Sequence, residues 1–482
     1  MGAEESVLTP STGWIVLTIF GCAWIGLGYY WGRKAKNLEG FMLAGRDVGL
    51  ALGAATAMAT WVTSNTIMLA PLFALQMGVW GVLAYSTASF GLFFFAPMAR
   101  RIRRLMPKGL TSGDFIRLRY GRAAWGVFLA ISLVYSMAWL VSMAMAGGIV
   151  LMALAGIPYV YGMSVILLVC VIYTLFGGLY AVIGTDFIQS AIILLGVLVV
   201  GVMVVLQVDI ATVHEDIVTF QPALLDVLMP VALLALFNNM FFGFGEVFHN
   251  NVWWSRAFAM REGIGLKAFS LAGFLWLPIP VAAGFIALAA GSLGINIVDP
   301  DMAGPLVAGE ILGSAGAVIV FIVVFCSLGS SIDSLLASTS DLLAEDVFKR
   351  LINPTISDAQ LRRVASLLIV GLGVVTWLIC LPRLGRLNEV LFISGPLVGS
   401  AIWVVVFGLF YRRVNRHAAL AAMIGGSTLG ILAYYTIGWF TASLVGAGVS
   451  LVIIVAGTLL KPGEFDWETL DEHSSNQASE SA

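Results

Sequence analysis

The stretch FCSLGSSIDSLLASTSDLLAEDVFKR, residues 325–350, carries many hydroxyl groups inside an apolar segment. Five of its six serines recur at spacings of three and four residues, which puts them on one stripe of a helix. They are Ser327, Ser330, Ser331, Ser334 and Ser338. Hard cations prefer oxygen ligands, so this stripe could line an ion site. It could equally serve tight helix packing, because serines bond back to the preceding turn. Periodicity alone leaves both interpretations open.

The composition of the whole chain indicates a lipid environment. The 482 residues are 60% hydrophobic and 11% charged, whereas soluble domains carry about 25% charged residues. A membrane span needs about 20 mostly apolar residues and must satisfy its own backbone hydrogen bonds. We therefore predict an all-α membrane protein with about 13 transmembrane helices. The predicted spans are 12–32, 48–77, 80–98, 123–155, 162–179, 187–208, 227–247, 269–290, 316–344, 364–381, 390–411, 418–437 and 441–460.

The basic residues are distributed unevenly between the loops. If the N-terminus lies outside, 23 of the 25 Lys and Arg residues fall on the cytoplasmic side, and only Arg383 and Arg386 do not. Cytoplasmic loops carry such an excess, so we expect a multi-pass protein of the plasma (inner) membrane with its N-terminus outside and its C-terminus cytoplasmic. The basic run over residues 100–122 then serves membrane anchoring, and no nucleic-acid partner is expected.

The expected domain organisation is simple. Residues 1–461 form a single transmembrane domain, and residues 462–482 form a disordered, acidic cytoplasmic tail. The motifs GxxxxGK[ST], HExxH and GxSxG are absent from the sequence. A nucleotide-driven pump and an intramembrane protease are therefore disfavoured, and we expect neither an enzyme nor a catalytic residue. The four cysteines all lie in apolar runs, which indicates neither disulfides nor a transition-metal site.

Two more spans carry polar groups at membrane depth. The segment LGAATAMATWVTSNTIMLAP (52–71) is a candidate interrupted helix, although small residues also serve tight packing. In FNNMFFGFGEVFHNN (237–251), Gly243 and Gly245 permit a break. Glu246 could contact a solute or carry a proton, or it could be an interfacial carboxylate paired with Arg256. Asp186 could simply cap the start of the sixth span.

Four segments together resemble the solute:sodium symporter family. They are GFMLAGRDVGLALGAATAMATWV, LTSGDFIRLRYG, GGLYAVIGTDFIQSAIILLG and SSIDSLLASTSDLLAEDVFKR, and they keep the family's order from about Phe41 to Arg350. The resemblance implies an inverted-repeat core of the leucine-transporter type, formed by spans 2–6 and 7–11, with spans two and seven broken in mid-membrane. It also implies secondary active, sodium-coupled symport of a small polar solute by alternating access, with Na⁺ as coupling ion and no other cofactor.

The resemblance also implies two ion sites. The family's sodium site maps to the carbonyl oxygens of Ala59, Val62 and Ser327 and to the hydroxyls of Ser330 and Ser331. A second cation site, present in some members, would use Asp186 together with the hydroxyls of Ser330, residue 333 and Ser334. This chain has Asp333 there. Neighbouring carboxylates either strengthen cation binding or retain a proton, so the choice between sodium and proton at this second site stays open.

The identity of the solute is addressed only by a fainter resemblance. VFHNNVWWSRAFAMRE and GFLWLPIPVAAGFIALAA resemble the urea and polyamine branch of the family, which implies urea or another small polar solute. The predicted pocket residues are Ser64, Asn65, Trp139, Asn239, Phe242 and Glu246. Two alternatives are a ligand-sensing module for a signalling partner and an uncoupled or proton-coupled permease. The short tail after Lys461 argues against the sensor.

Overall fold

The computed structural model describes residues 6–226, 228–297 and 299–471. Over those ranges the chain is helical, and its only β-structure is an isolated bridge. The longer helices are Pro10–Gly32, Leu50–Trp61, Ser64–Ser86, Phe90–Leu105, Arg122–Ala155, Tyr159–Gly177, Leu179–Gln207, Ile210–Phe220, Pro230–His249, Asn251–Ala259, Ile264–Trp276, Pro278–Ala287, Ala303–Leu342, Asp358–Cys380, Gly395–Phe410, Arg416–Thr436 and Trp439–Leu460. Shorter helices are Leu38–Leu43, Ser112–Tyr120 and Leu387–Phe392, and a π-helix, Leu343–Ile352, continues Ala303–Leu342.

Twelve helical stretches of the described chain are long and apolar enough to cross a membrane, against thirteen predicted spans. The difference lies in one stretch, Ser64–Leu105, which has 42 residues. At 1.5 Å per residue an unbroken helix of that length would be about twice the ~30 Å hydrocarbon thickness. Its helical backbone is interrupted at Gly78, where φ is 61° and ψ is −142°. This interruption separates the second and third predicted spans, so each of the thirteen predicted segments has a helical counterpart.

The second predicted span is broken, and we call Leu50–Trp61 with Ser64–Ser86 the first broken helix. Helical geometry ends at Val62, where ψ is 85°. Thr63 then starts the second half, because its Oγ1 accepts from the Thr66 N–H at 3.1 Å while the Thr66 Oγ1 accepts from the Thr63 N–H at 3.2 Å. Reciprocal bonds of this kind satisfy N–H groups that a helix start leaves free. The sequence T-x-x-T therefore fixes the position of this break.

The seventh predicted span is also broken, and we call Pro230–His249 with Asn251–Ala259 the second broken helix. Gly243 and Gly245, which permit a break, do not form one, since the helix runs through both glycines. The chain breaks at Asn250, whose Oδ1 accepts from the Val252 N–H at 2.8 Å and starts the next helix. The glycines serve close packing instead: a Cβ on Gly245 would lie 2.5 Å from the backbone of Val398.

We call Ala303–Leu342 the serine helix, because it carries the hydroxyl stripe. Its backbone is interrupted at Gly313, where φ is 63°, and it is regular from there through the stripe. All five stripe serines are buried. The serine helix packs against the first broken helix, Arg122–Ala155 and Leu179–Gln207, which places the stripe in the centre of the bundle.

An isolated parallel β-bridge links the two broken helices at the end of the bundle that carries most basic residues, which we call the inner end. Val48 donates its N–H to the Ala259 carbonyl at 3.1 Å, and Arg261 donates its N–H to the Val48 carbonyl at 3.0 Å. The Arg261 Nε also donates to the Asp47 Oδ1 at 2.6 Å. This hydrogen bond and the Arg261 charge lower the pKa of Asp47, so the ion pair holds above that pKa and is lost as the pH falls through it.

The first part of the tail is packed, which corrects the prediction of disorder from residue 462 onward. The Arg119 guanidinium lies 4.4 Å from the Phe465 ring centroid, and the guanidinium groups of Arg101 and Arg412 lie 4.3 and 4.8 Å from that of Trp467. Cation–π contacts of this kind attach an otherwise acidic segment to the basic inner end. The remainder of the predicted tail, 472–482, lies outside the described residues.

Candidate functional site

The end of the helix Leu50–Trp61 exposes backbone carbonyls to the serine helix. The Thr63 N–H bonds to the Trp61 carbonyl at 3.0 Å, so the Ala59 carbonyl lacks its regular helical partner. Across the contact, the Ser331 Oγ lies 3.1 Å from the Thr60 carbonyl and 3.0 Å from the Ser327 carbonyl. Carbonyl and hydroxyl oxygens thus converge where sodium is predicted, with Ala59, Val62, Ser327 and Ser331 all fully buried.

Ser330 differs from the other predicted sodium ligands in its hydrogen bonding. Its Oγ donates to the Asp186 Oδ1 at 2.5 Å. The resemblance assigns the Ser330 hydroxyl to both ion sites. In this conformation it bonds to Asp186, a residue of the predicted second site. Sodium coordination by Ser330 would require that the hydroxyl serve both neighbours, and the five-oxygen sodium site stays a prediction.

Asp186 is the centre of a buried ionic cluster. Its Oδ2 accepts from the Thr56 Oγ1 at 2.5 Å and lies 3.3 Å from the Arg256 Nη2. The same Arg256 nitrogen donates to the hydroxyls of Thr60 and Ser334, both at 2.6 Å. The side chains of Asp186 and Arg256 are both fully buried. A guanidinium group therefore stands among the residues predicted to hold the second cation.

This cluster corrects two alternatives drawn from the sequence. Asp186 does not cap a helix, because Leu179–Gln207 begins seven residues earlier, after Gly178 with φ of 52°. Arg256 does not pair with Glu246, because it pairs with Asp186. The predicted topology places Arg256 among the cytoplasmic loop charges, although the Arg256 side chain is fully buried. A useful signal was available: an arginine that directly follows the apolar segment NVWWS needs a carboxylate at the same depth.

Asp333 is fully buried beside this cluster. Its Oδ1 accepts from the Ser334 Oγ at 3.3 Å, while its Oδ2 has no hydrogen-bond partner among the described residues. Asp186 and Asp333 bring two negative charges to the region if both are ionised, and Arg256 supplies one positive charge. The formal balance of minus one leaves room for one further cation or proton.

A narrow cavity of about 30 Å³ lies between the two broken helices. Five of the six predicted pocket residues line this cavity, namely Asn65, Trp139, Asn239, Phe242 and Glu246. Ser64 does not line it, because its hydroxyl contacts the Met143 Sδ at 3.3 Å instead. The sixth prediction is therefore not supported by the geometry.

The cavity walls include aromatic side chains that the sequence interpretation did not assign to the pocket. Trp61 and Trp276 line it, with ring centroids 6.0 Å apart, and Trp61 lies edge-on to Trp139 at 6.4 Å. The Trp276 Nε1 donates to the Trp61 carbonyl at 2.6 Å, at the break of the first broken helix. Trp61 lies two residues before the T-x-x-T pattern at the break, and this position could have identified it as a pocket residue.

The cavity is covered on its outer side, opposite the inner end. The Trp439 ring centroid lies 4.9 Å from those of Phe73 and Phe392, and Phe392 also lines the cavity. Farther out, the Arg383 Nη2 lies 2.5 Å from the Asp299 Oδ2. An aromatic layer and an ion pair therefore separate the solute cavity from the outer surface.

The inner end is closed by a separate polar network. Arg350 forms an ion pair with Asp114. Asp346 accepts from the Thr111 Oγ1 at 2.6 Å and from the Trp125 Nε1 at 2.9 Å. This network joins Ser112–Tyr120 and Arg122–Ala155 to the helical turns that follow the serine helix. Contacts that close each end are what alternate opening of a central site requires.

Comparisons with known proteins agree with this architecture. The structure of a Na⁺-coupled sialic acid symporter, solved in a substrate-bound outward-open state, superposes on this chain with a TM-score of 0.78. The two sequences are 19% identical, and the match covers 94% of this chain and 99% of the symporter chain. Mhp1, a nucleobase-cation-symport-1 family transporter in a closed conformation, has a TM-score of 0.54 at 16% identity, with coverage of 87% and 94%. The predicted fold class is confirmed.

Sequence relatives point the same way. The urea-proton symporter DUR3 of Oryza sativa subsp. japonica is 26% identical, over 97% of this chain and 73% of its own length. The osmoregulated proline transporter OpuE of Bacillus subtilis is 26% identical over 89% of each chain. The model of the sodium:solute symporter family matches residues 41–426. The chain therefore belongs to the sodium:solute symporter family, whose members are membrane transporters and not enzymes.

Proposed function

We propose that this protein uses sodium entry to drive uptake of a small, urea-like polar solute by alternating access. One observation supports the proposal: the break in the first broken helix lies between two predicted sodium ligands and two residues of the cavity wall. Ala59 and Val62 lie on the side of the predicted sodium site, and Thr63 and Asn65, next along the chain, line the solute cavity. Sodium that orders this segment would also order one wall of the cavity.

Coupling through a shared segment must be reciprocal. If sodium tightens solute binding, then the solute tightens sodium binding by the same factor. The membrane voltage adds about 2.3 kcal/mol per charge for each 100 mV. We propose residence in the plasma (inner) membrane with the N-terminus outside, since the basic residues concentrate at the inner end. The predicted sodium set and the cavity residues are the proposed sites.

The urea-like character of the solute rests on the relatives and on the cavity. Two relatives are urea transporters by name, DUR3 and the urea active transporter of Saccharomyces cerevisiae, which is 23% identical over 98% of this chain and 72% of its own length. Asn65, Asn239 and Glu246 are the amide and carboxyl side chains among the hydrogen-bonding groups that line the cavity. Of these, Asn65 is held by Ser142 at 2.8 Å. Asn239 and Glu246 are the side chains that we propose for solute contact.

Uptake into proteoliposomes tests the proposed function. With radiolabelled urea outside, an inward sodium gradient should raise the initial uptake rate at least about tenfold over an equal potassium gradient, because only sodium would complete the ordered site. The same vesicles with gramicidin, which dissipates the gradient, are the control. Equal uptake in sodium and potassium would contradict symport and favour an uncoupled permease. Solute binding without uptake would favour a ligand sensor.

Proton coupling is a second candidate, because Asp333 adds a buried carboxylate to the ion cluster. Under sodium coupling, Asp333→Asn should raise the sodium concentration for half-maximal uptake about five- to tenfold, since one negative charge is removed from the region. Uptake measured across sodium concentrations at pH 6 and pH 8 checks this result. Asp341→Asn, a buried carboxylate farther along the serine helix, is the matched control. Unchanged sodium dependence together with loss of proton-driven uptake would instead indicate a proton-coupled transporter.

A further inference from the structure

Glu246 is the one acidic side chain lining the solute cavity, and no basic side chain lines it among the described residues. Only 7% of its surface is exposed. No described Lys, Arg or His forms a salt bridge with it, and Arg256, the partner suggested by the sequence, is bound to Asp186. A buried carboxylate without a positive partner is costly. When Glu246 is ionised, the cavity therefore contains a negative charge that no basic side chain lining it balances.

The rest of the cavity wall suits a planar cation. Six aromatic residues line it, namely Trp61, Tyr85, Trp139, Phe242, Trp276 and Phe392. Aromatic faces attract cations, and flat guanidinium groups also stack on them. The Asn239 Nδ2 donates to the Ala235 carbonyl at 3.0 Å, which leaves its Oδ1 as an acceptor. Glu246 and Asn239 thus both offer oxygen acceptors to N–H donors, while the Trp61 Nε1, which has no hydrogen-bond partner among the described residues, is a donor on the same wall.

We infer that the transported solute is a small planar cation of the guanidinium or amidinium class, with Glu246 as its counter-charge. This inference rests on the proposed function and replaces the neutral urea by its cationic counterpart of the same shape. A carboxylate accepts two parallel N–H bonds from such a cation, a charge-assisted geometry that neutral urea matches only weakly. Solutes with a carboxylate, such as proline, would meet an unscreened like charge in the cavity.

Binding to the purified full-length protein in 100 mM sodium chloride tests the inference. Guanidinium chloride and acetamidinium chloride, at up to 5 mM and far below denaturing concentrations, should raise the melting temperature at concentrations at least tenfold lower than urea requires. L-Proline should have no effect in the same range. Glu246→Gln should weaken guanidinium binding at least thirtyfold and weaken it at least tenfold more than it weakens urea binding, because only the cation loses a charge-assisted contact. Glu310→Gln, an exposed carboxylate on the serine helix, is the matched control.

The substitution Glu246→Gln keeps the side-chain shape and removes a buried charge, so the variant should fold. Equal binding of urea and guanidinium that Glu246→Gln leaves unchanged would overturn the inference, as would a preference for proline. Sodium-dependent urea binding without guanidinium binding would overturn the inference alone and leave the proposed function standing. Absence of sodium-dependent binding by every probe would overturn both.

Discussion

Asp186→Ala should lower the free energy of unfolding by about 3–5 kcal/mol and abolish sodium-driven uptake. Arg256 is fully buried, and Asp186 is the carboxylate that forms its ion pair. Removal of the carboxylate leaves the buried guanidinium group without its ion-pair partner, although Asp333 stays in the region, and the hydroxyls of Thr56 and Ser330 lose their acceptor. Thermal unfolding in detergent measures the loss of stability, and vesicle uptake measures the loss of transport.

A double variant separates the ion pair from the general cost of mutating the core. Asp186→Ala combined with Arg256→Met removes both charges, and replacement of a buried pair by apolar groups is often neutral in stability. The double variant should therefore recover at least about 2 kcal/mol relative to the single variant, which a double-mutant cycle measures directly. An unfolding free energy of Asp186→Ala equal to that of the wild type would contradict a structural ion pair.

Ser330→Ala with Ser331→Ala should raise the sodium concentration for half-maximal uptake at least tenfold, which corresponds to about 1.4 kcal/mol of binding free energy. The proposed sodium site loses both of its hydroxyl ligands in this variant and keeps only carbonyl oxygens. Sodium should then also stabilise the protein less, because the stabilisation by a ligand grows with the logarithm of its concentration relative to its Kd. Melting temperatures in sodium and in potassium give a readout independent of transport.

Ser338→Ala is the matched control for this experiment. Ser338 lies on the same stripe and is equally buried, but its Oγ has no hydrogen-bond partner among the described residues. Its removal should leave the sodium dependence within twofold of the wild type. The two single variants separate the contributions of the two hydroxyls, because the Ser331 hydroxyl contacts the Thr60 carbonyl, whereas the Ser330 hydroxyl bonds to Asp186. Equal sodium dependence in the wild type and the double variant would contradict the proposed site.

The helical fold could be predicted because lipid leaves the backbone few choices. Apolar runs of sufficient length must be helices, and the distribution of basic residues fixed the number of spans. The two breaks show where this reasoning stops. At Thr63 a T-x-x-T pattern marks the break, whereas Gly243 and Gly245 only permit one. The helix continues through both glycines, where it packs closely against a neighbouring helix, and the Asn250 side chain starts the next helix.

The candidate site was predicted less completely, because its central contacts join distant segments. Asp186 and Arg256 are 70 residues apart, and each has a plausible local role in the sequence, as a helix cap and as a loop charge. Their shared depth appears only when the helices pack. Ser64 shows the opposite error: it adjoins the cavity residues in sequence, yet its hydroxyl faces Met143.

The β-bridge between Val48 and Met260 has a mechanical consequence for transport. It fastens the inner half of one broken helix to the inner half of the other, while the breaks at Val62 and Asn250 act as hinges. The two inner halves, Leu50–Trp61 and Asn251–Ala259, should consequently tilt as a single lever. Under the proposed function, such a joint tilt would open the ion site and the solute cavity in one movement, and neither sodium nor solute would be released inward without the other.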